Sequence, residues 1–164
     1  MADHSGHRER VKAEFLARGI EGWSSHRVLE LLLFYALPQK DTNGLAHELI
    51  ERFGSLAGVL DASQDELRKV KGVSGHTAVL LKLIPALCSR YEQERADLGR
   101  MVHTTQDAVA YLAPYFYGAR NEMSYILCLD SKFKALGVRK VAEGSIHAAD
   151  ISIRRIMEEA LGLR

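Results

Sequence analysis

The residues best placed to do chemistry are Lys71-Gly72-Val73-Ser74-Gly75-His76-Thr77. They follow a short stretch whose apolar edge is Leu67 and Val70, and they precede a long apolar run. Two closely spaced glycines permit a tight turn, because glycine reaches positive φ without a Cβ clash. A second helix is expected from His76 or Thr77 onward. Backbone N–H groups at the start of such a helix have no helical partner and attract anions. The chemistry would be capture of one phosphate by the amides of Val73 to Thr77, with Lys71 beside it. The same spacing also suits a plain corner between packed helices, and spacing alone leaves both readings open.

Other reactive side chains form weaker patterns. His4 and His7 have H-x-x-H spacing in a polar terminus, which is more often a solvated end than a metal site. His103 and His147 stand alone. Cys88 and Cys128 are far apart, and each lies in an apolar run. They read as small buried residues rather than as a disulfide or a metal pair.

The elements that must position these groups follow from apolar spacing. A first helix covers His7 to Arg18 and ends at Gly19 and Gly22. A second, capped at Ser24 or Ser25, carries Leu29, Leu32, Leu33 and Ala36 inward and stops at Pro38. Asp41 or Thr42 caps a third, which ends at Gly54. A short helical turn leads to Ser63, which with Glu66 makes a capping box. Val79 to Ile84 is apolar on nearly every face, so the helix from Thr77 is expected to be central, with a kink at Pro85.

Beyond Gly99 the pattern changes. Thr104 and Asp107 suggest a second capping box. Strands are expected over Ser124–Asp130 and over Phe133–Gly144, with a third at Gly144–Ala149. Ser152 would cap a last helix. A sheet this small under so few helices buries little apolar surface, so the second half reads as unfinished.

Composition narrows the function classes. In 164 residues the net charge is +1, and residues 1–98 carry 13 basic and 14 acidic side chains. That balance excludes the strongly basic footprint of a dedicated nucleic-acid binder, so any DNA contact must be local and weak. Arg68, Lys69, Lys71 and Lys82 could form the local patch. No apolar run approaches the ~20 residues that span a bilayer, and the polar start lacks a signal peptide's apolar core. Together these point to a cytoplasmic protein without a membrane partner.

Several stretches resemble the bacterial RadC-like proteins: H-R-V-L-E-L-L-L-F-Y-A-L-P, D-T-N-G-L-A-H-E-L-I-E-R-F-G-S-L-A-G-V-L-D-A, V-K-G-V-S-G-H-T-A, Y-I-L-C-L-D-S-K and V-A-E-G-S-I-H-A-A-D-I. They occur in the family's order over nearly the whole chain. The resemblance implies an α+β protein. An all-α helix–hairpin–helix bundle over residues 1–98 would precede an incomplete α/β JAB/MPN domain, of cytidine-deaminase-like type, over 99–164. It further implies a DNA repair-associated zinc metallohydrolase of the JAMM class. Its N-terminal module would touch DNA or protein, with residues 71–77 as the nucleic-acid contact.

Two departures qualify the resemblance. The hairpin pattern usually reads G-h-G-x-x-x-A, and Ser74 stands here for the second glycine. The family's H-x-H-P-x-G-type ligand motif and downstream Asp do not occur. The expectation is therefore no metal ligands and no cofactor in this chain, with zinc in intact relatives, a truncated domain and no catalysis. By the same resemblance Glu122, just before the first strand, falls where the family's general acid/base stands. Glu143 is the alternative.

Overall fold

The fold is α+β, with eight helices and one two-stranded sheet among the described residues. The computed structural model describes residues 4–95, 99–144 and 153–162. They fall into two compact units, Met1–Ile84 and Pro85–Arg164.

The first unit is helical. It holds α1 (His4–Arg18), α2 (Ser25–Ala36), α3 (Asn43–Phe53), α4 (Leu56–Asp61), α5 (Gln64–Arg68) and the first half of α6 (Gly75–Arg95). Gly54 closes α3 in the left-handed conformation, at φ +81°, as its place in the sequence requires. Thr42 occupies the N-cap position of α3 but makes no capping bond, whereas Asp41 Oδ1 accepts the Asn43 N–H at 3.0 Å.

Two apolar clusters flank α2. Leu29 and Leu33, both fully buried, join Leu49, Leu67 and Leu81 in the larger one. Leu31 and Phe34 join Val11 in the other. Serving both broadens the buried face beyond the single stripe expected, and Leu32 and Ala36 are only partly buried. It also buries Glu30, which is 3% exposed and accepts from the His7 ring at 3.2 Å.

The helix from the hairpin is less central than its composition implies. Only Thr77, Ala78 and Leu81 of α6 are buried, while Val79 and Leu83 are more than half exposed. Pro85 lies inside α6, which continues to Arg95. Both cysteines are free, but Cys88 is exposed rather than buried, because its apolar neighbours do not put it on a packed face.

The second unit places α7 (Thr105–Leu112) and a 3₁₀ turn (Ala113–Phe116) before an antiparallel pair, β1 (Met123–Leu129) and β2 (Ala135–Glu143). Met123 pairs with Glu143, and Leu127 with Val138. The turn between the strands is built on Asp130, whose Oδ1 accepts the N–H groups of Lys132 and Lys134. Residues 99–102 add a short edge: Gly99 N–H donates to Ala135, Ala135 N–H to Arg100, and Val102 N–H to Phe133. Val102, Tyr111 and Ala135 form the core beneath. The third expected strand and Ser152 lie outside the described residues. α8 (Ile153–Leu161) exposes Ile153, Met157 and Leu161 along one side.

The expected capping box of α7 is formed. Thr104 Oγ1 accepts the Asp107 N–H, and Asp107 Oδ2 accepts from the Thr104 hydroxyl at 2.8 Å and the Thr104 N–H at 2.9 Å. The hydroxyl bond foremost, then the amide bond, holds the Asp107 carboxyl below its ordinary value of 3.8. A carboxyl lowered on folding contributes stability above its unfolded value and loses it as pH falls through the folded one. Between pH 5 and pH 2 the melting temperature of the Asp107→Asn variant should therefore fall less steeply than that of the parent. Parallel melting curves would show that Asp107 is not linked to folding.

Candidate nucleic-acid interface

The hairpin is positioned from below by apolar residues and from its sides by two caps. Ser63 Oγ accepts the Glu66 N–H at 3.2 Å, and Glu66 Oε2 accepts the Ser63 N–H at 2.8 Å, closing the capping box that starts α5. Leu67, Val70 and Val73 then turn into the larger core. The chain reverses at Gly72, whose φ is +99°. A Cβ there would meet only the Leu45 methyls, at an ordinary 3.7 Å, so backbone conformation rather than space calls for glycine.

Ser74 and Gly75 have different roles from those their types suggested. Gly75 is the first residue of α6 and needs no left-handed backbone. Ser74 caps that helix: its Oγ accepts the Thr77 N–H at 3.2 Å and lies 3.1 Å from the Thr77 hydroxyl. Its carbonyl accepts the Ala78 N–H at 3.0 Å. The serine in the second glycine position thus supplies one of the hydrogen bonds that a helix start lacks.

The seven candidate residues divide by exposure. Lys71, Gly72, Ser74, Gly75 and His76 are exposed, while Val73 and Thr77 are buried. The amides divide in the same way. Val73 N–H donates to the Val70 carbonyl, and Thr77 N–H to Ser74. Those of Ser74, Gly75 and His76 have no acceptor among the described residues and open to solvent together. Arg68, Lys69 and Lys71 are exposed around them. Lys82 is committed elsewhere, with its Nζ donating to the Leu60 carbonyl at 2.8 Å. Three consecutive N–H groups and nearby cations can hold one phosphate oxyanion.

Comparison with known proteins finds likeness along nearly the whole chain, and a family model over its second part. The model of the RadC-like JAB domain matches residues 102–164. A UPF0758 protein of Fusobacterium nucleatum subsp. nucleatum is 29% identical over 98% of this chain and 72% of its own length. The family this chain is similar to is therefore the RadC-like one. No solved structure matches it.

The two acidic candidates come together at one end of the sheet. Glu122 is exposed and immediately precedes β1, and its carbonyl accepts the Gly144 N–H at 3.0 Å. Glu143 faces Met123 in the register and pairs with Lys140 at 2.5 Å. The hydrogen bond from Lys140, reinforced by its charge, lowers the Glu143 carboxyl and raises the ammonium in turn. That suits a standing carboxylate better than a proton donor.

The zinc chemistry of the RadC-like resemblance needs converging donors. Among the described residues no three His, Cys, Asp or Glu side chains converge to hold a metal ion. His147 lies outside them, and the His103 ring is tilted against Phe133, 5.6 Å between ring centres. The residues described do not fit the group. Nor is any helix among them long and apolar enough to cross a membrane.

Proposed function

We propose that the helical unit of this RadC-like protein is a weak, sequence-independent DNA-backbone contact. The observation that carries it is the set of three exposed, unbonded amides at Ser74, Gly75 and His76, beside Lys71. One phosphate would accept from these amides, and Lys71 would add charge without reading a base. The near-neutral charge of residues 1–98 keeps the affinity low. In the same reading the protein works in the cytoplasm in association with DNA repair. Glu122 would serve as a proton carrier only where a complete family site supplies metal and ligands.

The test is fluorescence anisotropy of a labelled duplex at two salt concentrations. Binding should weaken as salt rises and should not depend on sequence. Lys71→Ala should reduce the slope of log affinity against log salt by about 0.9, the value of one phosphate contact on B-form DNA. A duplex that fails to bind even at low salt removes the proposal.

A further inference from the structure

A second feature of the helical unit points to a ligand that the hairpin does not use. Arg8 of α1 reaches the C-terminal end of α2. It donates to the carbonyls of Phe34 at 3.3 Å and Leu37 at 2.7 Å, and also to that of Lys40. Its guanidinium lies 4.6 Å from the centre of the Phe34 ring. These bonds fix the loop after α2 against α1 and leave a cleft of about 570 Å³ between them. That volume falls within the range of small-ligand sites, roughly 300–1,000 Å³.

The lining is basic and carries one unoccupied aromatic ring. Arg8, Lys12 and Lys40 face a single acid, Glu9. Lys12 pairs with Glu9 at 2.9 Å, but Glu9 is well exposed and Lys12 partly so, and such a pair is readily exchanged for a better anion. Lys40 is exposed and its ammonium makes no bond among the described residues. Tyr35, on the last turn of α2, is 69% exposed, and no ring or hydrogen-bond partner among the described residues covers it. An exposed ring flanked by lysines meets the two needs of a nucleotide unit: a face for the base and cations for the phosphate.

We infer that this cleft binds a nucleotide unit with an unpaired base, stacked on Tyr35 and held by Lys12 and Lys40, as single-stranded DNA would present it. The inference stands apart from the hairpin, because a duplex phosphate offers no base face to Tyr35. Its ligand is a single strand or a free nucleotide, and the two share the same chemistry.

The experiment titrates a labelled oligothymidylate, and an abasic oligomer of equal length, against the full chain by anisotropy. The oligothymidylate should bind more tightly than the abasic strand. Tyr35→Ala should cost about tenfold for the former only, within the range of one base–aromatic stack, while Tyr35→Trp should retain binding. Lys12→Gln with Lys40→Gln should lower the salt slope by about 1.4, for two contacts on a single strand. Displacement by thymidine monophosphate at concentrations near its own affinity identifies a free nucleotide as the source; displacement only by the oligomer identifies the single strand. The parent and Lys71→Ala chains should show the same Tyr35 effect, so failure of the hairpin contact leaves this result intact. Equal affinity for both strands, or no change on Tyr35→Ala in a chain with the parent's circular dichroism, overturns the inference.

Discussion

Leu67→Ala is expected to lower the unfolding free energy of the helical unit by about 2–5 kcal/mol, the usual range for emptying a well-packed leucine site. Leu67 is fully buried and shares its cluster with Leu49, Val70, Val73 and Leu81. Its helix, α5, has five residues, far below the length at which a helix holds by itself. The packed leucine is therefore what keeps α5 in place, and with it the approach to Gly72. Urea denaturation followed by Trp23 fluorescence and circular dichroism measures the loss. A change smaller than about 1 kcal/mol would mean that the site closes over the missing methyls and that α5 is held by other contacts.

Ser74→Ala is expected to have the second largest effect, about 2 kcal/mol. Removing a serine N-cap costs about 1 kcal/mol. Here the same hydroxyl also serves Thr77, which is 0% exposed and has no other side-chain partner among the described residues. Leaving a buried hydroxyl unpaired adds at least about 1 kcal/mol, so the sum reaches the upper end of cap mutations. Thr77→Val removes the second hydroxyl without changing shape much. The pair Ser74→Ala with Thr77→Val should then cost less than the two singles together. Strictly additive losses in that double-mutant cycle would show that the two hydroxyls are not coupled.

Features made by neighbouring residues are legible in the amino-acid sequence. The capping boxes of Ser63 with Glu66 and of Thr104 with Asp107 need only a three-residue spacing, and both are formed. Gly54 and the strand at β1 follow from equally local rules. The buried Glu30 is not legible, because its partner His7 is 23 residues away and only tertiary packing joins them. Nor is the exposure of Cys88, Val79 and Leu83, since a run that is apolar all round does not say which face packs.

The hairpin is legible as a motif but not in its detail. Spacing identifies seven residues. It does not show that Ser74 spends its hydroxyl on Thr77, or that Val73 gives its amide to Val70. Those bonds reduce the available donors to three. The basic cleft at Tyr35 leaves no signal at all in the sequence, because it joins residues of α1 to a loop beyond α2 through the bonds of Arg8.

The edge formed by residues 99–102 against residues 133–135 bears on the order in which the second unit takes shape. Those bonds close a loop of about thirty residues, and the entropic cost of closure rises with the logarithm of loop length. The intervening chain includes α7 and β1, so this edge cannot zip up from a neighbouring turn as the β1–β2 pair can. In the first unit α2 meets α3, and α3 meets α4, across short connections. Such near-neighbour contacts belong to fast-forming topologies. The helical unit can therefore assemble pair by pair, whereas the edge of the second must wait for its two distant segments to find each other.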